Sequence, residues 1–261
     1  MGEQPAPAGG YRHVARLIGA LSGSVVTSAA DREAADAIEA AWPGTREQVT
    51  AAAGCHSRIA AWACGPGGAR SLVVCPAGYP AWPWPHRAAL DADPGLCVVL
   101  AEPDAEVAEV AGAVWGADPR VAVIRSAASD AAGLWRQARG IPRPVCLLLP
   151  WVTGMLHPEA AEAMTGAYCT LLPAGSVIAL TWWAPDGTAA GEEFMTEWRA
   201  RVGPAWGHSA EAVTGWLEAA GAVVLGPGVQ DVRVRAGTEW REAAYRKRSP
   251  GRMVSAVARV R

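Results

Sequence analysis

Seven short apolar runs, each continuous rather than alternating in polarity, recur along the chain: Ser71–Cys75, Leu96–Ala101, Arg120–Arg125, Val145–Leu149, Ser176–Trp182, Ala222–Leu225 and Met253–Val260. Segments with helical spacing lie between them, most clearly Asp104–Trp115, Ala127–Arg139, Pro158–Leu171 and Ser209–Ala219. A strand that is apolar on both sides must be covered on both sides. Strands separated by helices reach a parallel neighbour through the crossover. The pattern therefore predicts an α/β fold, a mostly parallel sheet with helices on both faces.

Three helical stretches precede the first strand. Ala15–Gly23 has helical spacing, and a second helix runs through DREAADAIEAAWPG, with Asp31 and Glu33 at its positive end and Pro43-Gly44 as its stop. An Ala-rich third extends from Arg46 to about Cys64 and ends at GPGG. This divides the chain into an N-terminal helical segment, residues 1–65, packed on a core domain, residues 66–261.

Composition excludes several classes of function. With 51% apolar and 18% charged residues the chain is globular, and a net charge of −2 gives no general attraction to nucleic acid or to a membrane surface. The one concentrated basic stretch, YRKRSPGR at Tyr245–Arg252, reads as a solvated loop or as an anion contact. No apolar run approaches the roughly 18 residues of a bilayer span. MGEQPAPAGGYRHV carries no signal pattern, so a cytoplasmic protein is expected. The six cysteines are scattered without a C-x-x-C pair, which argues against zinc ribbons and disulfide frameworks, and no metal is expected. G-x-S-x-G, P-loop and H-E-x-x-H patterns are absent. Thirteen Trp against one Phe point to a GC-rich bacterial genome, with Trp at Phe-like core positions.

The turn after the first strand, in SLVVCPAGYPAWPWP (Ser71–Pro85), is where a nucleotide-binding α/β domain needs small residues, so that its backbone can approach the ligand. Here it offers Pro76, Ala77 and Gly78. Other segments follow in a recognisable order: AADREAADAIEAAWP (Ala29–Pro43), VVLAEPDAEVAE (Val98–Glu109), MLHPE (Met155–Glu159), LLPAGSVIAL (Leu171–Leu180) and WLEAAGAVVLGPGV (Trp216–Val229). Together they resemble, over nearly the whole chain, an actinobacterial family of S-adenosylmethionine-dependent methyltransferases long catalogued as a domain of unknown function. The resemblance implies a Rossmann-like, seven-stranded class I methyltransferase sheet whose last strand returns antiparallel. It also implies S-adenosylmethionine as cofactor and a small-molecule substrate, with no nucleic-acid or membrane partner. A homodimer is compatible with it.

Carried over residue by residue, the cofactor site departs from the family pattern. The first-strand Asp falls on Val74, the first Gly on Pro76 and the Ser on Ala77, while Gly78 and Pro80 survive. Pro76 removes a backbone N–H and fixes φ where Gly gave freedom. The acid for the ribose hydroxyls is kept as Glu102, with Asp104 nearby. The acid for the adenine amine falls on Ala127, with Asp130 three residues on as a displaced replacement. The family's Gly-Gly-Lys-Asp-Asn-Phe stretch becomes GSVVTS, Gly23–Ser28. Four lost hydrogen bonds at about 1 kcal/mol each would weaken cofactor binding about a thousandfold.

Methyl transfer needs the acceptor positioned and, where the acceptor carries a proton, a base. His157, just beyond the fourth strand, is placed for that role or for a local bond at a helix start. Trp151, Trp182 and Trp183 follow or end strands and could wall a flat pocket or fill the core. AWPWP, Ala81–Pro85, could line the pocket or block it. The resemblance therefore leaves two functions open. One is small-molecule methylation in a secondary pathway. The other is a degenerate methyltransferase fold, repurposed for other chemistry on a hydrophobic substrate or serving as a non-catalytic binding or regulatory protein.

Overall fold

The computed structural model describes residues 14–81, 83–184, 187–235 and 252–261. The seven expected runs form strands: β1 (Ser71–Val74), β2 (Cys97–Ala101), β3 (Val121–Ile124), β4 (Val145–Leu149), β5 (Val177–Ala184), β6 (Ala222–Val224) and β8 (Arg252–Val260), with a two-residue β7 (Gln230–Asp231) added. Their order across the sheet is β3-β2-β1-β4-β5-β8-β6, and β7 pairs with β8. Strands β1 to β5 run parallel, and β8 lies antiparallel between β5 and β6. Order reverses between β1 and β4, the place where such sheets open a crevice at the carboxyl ends of the strands.

Strand alternation divides the core in two. Leu72, Val74, Cys146, Leu148 and Trp183 face one side, where α1 (Val14–Leu21), α2 (Ala29–Ala41), α3 (Thr45–Cys64), α4 (Pro85–Ala92), α5 (Ala105–Trp115) and α8 (Ala189–Arg201) pack. Val73, Leu147, Leu149, Leu180 and Trp182 face the other, against α6 (Ala131–Gln137), α7 (Pro158–Leu171) and α9 (Ala210–Ala219). Leu17, Ile38 and Ile59 of the first three helices belong to the same buried cluster as the sheet residues.

Local chemistry sets several helix starts. Ser28 and Asp31 form a reciprocal capping box at α2, so Asp31 acts by hydrogen bonding as well as by charge. Asp104 caps α5, Asp130 caps α6 and Ser209 caps α9. The α6 helix begins later than expected, after Asp130 rather than at Ala127, because that cap satisfies the Gly133 N–H. Among the described helices of eight residues or more, two were not anticipated. Pro85 opens the short α4 at its first position. In α8 the buried stripe Phe194, Met195 and Trp198 sits among charged residues. Of the AWPWP segment Trp82 lies outside the described residues, as does the basic stretch apart from Arg252. No helix among the described residues is long and apolar enough to cross a membrane.

Candidate active site

A cavity of about 300 Å³ opens at the carboxyl ends of β1, β2 and β4. One wall is the loop after β1, with Pro76, Ala77, Gly78 and Tyr79, and the ends of β2 and β4 add Glu102, Asp104, Pro150 and Trp151. Helix α1 closes it with Val14, Ala15, Ile18 and Gly19, and α3 contributes Ala53 and His56. A Cβ on Gly19 would lie 2.8 Å from the Tyr79 Cβ, so glycine there lets α1 sit directly on the loop.

The loop is bonded to its own neighbours. The Ala77 N–H donates to the Ala101 carbonyl at 2.8 Å, and the Gly78 N–H to Glu102 Oε2 at 2.9 Å, with Gly78 at φ +68°. Glu102 Oε1 accepts from the Asp104 N–H at 3.2 Å. Glu102 is 2% exposed. Burial raises its pKa above the ordinary value, with the Asp104 charge adding to the rise, while the two backbone N–H groups oppose it. Farther along, the Ser24 hydroxyl donates to the Pro80 carbonyl, so the GSVVTS stretch pins this loop from outside.

At the other end Trp151 holds a left-handed backbone, φ 64°, which is uncommon for a bulky residue. Its N–H donates to Thr181 Oγ1 at 3.1 Å. The same oxygen lies 2.9 Å from His56 Nε2. Burial lowers the His56 pKa to about 4, so its ring is neutral at pH 7. Behind Trp151 stand Trp183, with ring centroids 6.4 Å apart, and then Phe194.

Of the residues expected at the site, the cavity brings together Gly78, Glu102, Asp104 and Trp151. The others lie elsewhere. Pro80 is buried and held through its carbonyl by Ser24. Asp130 is exposed, its carboxylate spent on the α6 cap. His157 is exposed at the start of α7, edge-on to Trp206 at 4.9 Å. Trp182 is on the opposite face of the sheet, donating its indole N–H to the His208 carbonyl, because adjacent strand residues point to opposite faces. Trp183 supports Trp151 from behind rather than lining the cavity.

His56 and the α1 residues were missed. The signal for His56 was weak: one polar ring in an Ala-rich helix that was otherwise read as packing. The cysteines follow expectation as small hydrophobes; burial pushes Cys75 to about 12 and Cys169 to about 11, too high for thiolates at neutral pH. Among the described residues no cluster of His, Cys, Asp and Glu could hold a metal ion.

Residues 9–261 match the model of a family described as S-adenosyl methyltransferase. The chain belongs to that family. Among solved structures it is similar to a proposed methyltransferase from Thermobifida fusca YX, at 23% identity and TM-score 0.86, over 98% of this chain and 96% of that one. It is also similar to a DUF574-family protein from Streptomyces avermitilis MA-4680, at 21% identity and TM-score 0.79, over 96% and 98% of the two chains. The plantazolicin methyltransferase BamL, solved with a desmethylplantazolicin analogue and S-adenosylhomocysteine, shares the fold at 9% identity and TM-score 0.56, over 95% and 97%. No curated protein matches the chain.

The residues present fit S-adenosylmethionine at its ribose and by charge. Glu102 lines the cavity at the end of β2, and the charged groups among the lining residues, Glu102 and Asp104, are both acids. Such a lining favours a ligand of net positive charge. Of the backbone N–H groups in the loop, Pro76 has none to offer, and those of Ala77 and Gly78 donate within the fold.

Proposed function

We propose that this protein is an S-adenosylmethionine-dependent methyltransferase with a weakened hold on its cofactor, acting on a small, largely apolar acceptor. The observation that carries the reading is the buried carboxylate of Glu102, at the carboxyl end of β2, in a cavity at the switch point of the sheet. Family membership over residues 9–261 supports the same chemistry.

When bound, S-adenosylmethionine supplies a methyl group on a positively charged sulfur. The remaining lone pairs of Glu102 would accept ribose hydroxyls, and its bonds from the Gly78 and Asp104 N–H groups hold the carboxylate in place. The Glu102 and Asp104 charges favour a cationic ligand over an anionic one. Ile18, Val74, Pro76, Pro150 and Met155 exclude water around the reacting groups. Trp151 offers a ring face for a flat acceptor.

Calorimetric titration of the purified, cofactor-stripped chain with S-adenosylmethionine and S-adenosylhomocysteine tests this. The expected result is binding in the high micromolar to millimolar range, lost in Glu102→Ala and weakened in Glu102→Gln, with both variants checked for folding by thermal melting. No heat at millimolar ligand overturns it. A second reading, the same fold without methylation, is favoured by the internal bonding of the Ala77 and Gly78 N–H groups. Binding of apolar ligands without any of S-adenosylmethionine would support that one.

A further inference from the structure

His56 is a polar group of the cavity that the cofactor reading does not use. It lies on α3, 6% exposed, with Nε2 beside the Thr181 hydroxyl. Thr181 Oγ1 already accepts the Trp151 N–H. The hydroxyl therefore has its hydrogen to give, and Thr181 is 1% exposed, so that hydrogen must find an acceptor within the fold. His56 Nε2 is the one at hand. If Nε2 carried the proton instead, the hydroxyl hydrogen would be buried with no acceptor among the described residues, an arrangement disfavoured by about tenfold or more.

The count fixes the tautomer: Nε2 accepts and Nδ1 bears the hydrogen. Nδ1 has no partner among the described residues, and it is not one of the sealed, unpaired side-chain atoms of the fold. The opening available to it is the cavity that His56 lines. Ala53, Ile18, Met155 and Trp151 line the same cavity, and both charges of its lining are negative.

We propose that the cavity anchors its acceptor molecule through the Nδ1–H of His56, and that the molecule taken is uncharged, largely apolar and equipped with an acceptor oxygen of the carbonyl or ether kind. The inference rests on the reading of this cavity as the acceptor site and adds the substrate class. An anion is opposed by Glu102 and Asp104. A group that only donates, such as an ammonium, meets a donor with a donor. His56 is a binding residue here; its ring holds the oxygen in place and takes no proton.

Two measurements on the full chain decide it. In protein labelled with 15N-histidine at pH 7.5, the His56 ring, assigned by its disappearance in His56→Phe, should show Nε2 unprotonated. The reverse pattern overturns the proposal. Ligand-observed NMR titrations should then compare 1-acetonaphthone with 1-ethylnaphthalene, which have the same ring system and differ in the carbonyl oxygen. The ketone should bind about fivefold tighter to the natural chain, and equally with the hydrocarbon to His56→Phe. Equal binding to the natural chain, a preference that survives the substitution, or no binding of either compound overturns it. Should His56→Phe fail to fold, the ring pattern, assigned instead from Thr181→Val, and the preference of the natural chain still decide. Neither titration contains S-adenosylmethionine, so a failed cofactor reading and a failed anchor give different results.

Discussion

The two ends of the cavity have opposite hydrogen-bond economies. At the β1–β2 end, the loop that would meet a cofactor has turned inward: Ala77 bonds to Ala101, Gly78 to Glu102, and Pro76 has nothing to donate. At the β4–β5 end, Trp151, Thr181 and His56 form a line that closes on itself except for one ring nitrogen. Where the family pattern spends backbone N–H groups on a ligand, this chain keeps them. Where the family pattern gave no expectation, it exposes one. The contrast teaches that loss of motif residues does not empty a site; polar capacity can sit at the far wall, on a helix that no motif covers.

The largest effect expected from this contrast comes through pH. The pKa of His56 is lowered from 6.5 to about 4 by burial, so its folded form stays neutral while the unfolded chain takes up a proton. Its contribution is present above pH 6.5 and lost as pH falls toward 4. Between those values, denaturant melts should show the natural chain losing roughly 3 kcal/mol more than His56→Phe does. Equal losses would mean that the β4–β5 end is open to water, and the comparison would break. Glu102 works in the opposite sense at the other end, since its raised pKa makes ionisation costly as pH rises above the ordinary carboxylate value.

Thr181→Val comes next. It strands the Trp151 N–H and the His56 ring together, and urea titration should find about 2 kcal/mol of stability gone. A loss no larger than that of an exposed threonine would show that the line does not hold the wall. Smaller still, Asp130→Ala should cost about 1 kcal/mol as a lost helix cap and leave S-adenosylmethionine binding unchanged, since Asp130 is outside the cavity. A drop in affinity would return Asp130 to the cofactor end. Trp151→Gly should change stability least, by under about 1 kcal/mol, because relief of the left-handed backbone offsets the lost ring packing. The same variant should abolish the binding of flat apolar ligands in the NMR titration.

The sheet was readable because burial on both faces leaves a signature in single segments. Val145–Leu149 could be bounded from its own composition, and the other six runs came within two residues at either end. The site was less readable, and Asp104 and Asp130 show why. An acid just after a strand in this fold is placed either for a ligand or for the first turn of the next helix, and the two roles are identical in sequence. Asp104 both caps α5 and lines the cavity; Asp130 only caps α6. The pair Trp182 and Trp183 could have been separated by strand alternation, which sends one to each face. What no pattern carried was His56, whose meaning depends on Thr181, a residue 125 positions away.

The α1 helix has a consequence for how the cavity is filled. It spans eight residues, Val14–Leu21, and four of them wall the cavity. Isolated helices shorter than about 12 residues are marginal in water, so α1 owes its shape to what lies beneath it. Leu17, Ala20 and Leu21 anchor it to the core, a guest in the cavity adds to that support, and an exchange of guests removes the added part. Occupancy is thus coupled to the order of one short segment, and the amide hydrogens of α1 become a clock for residence: slow to exchange while a molecule is held, fast once it has gone.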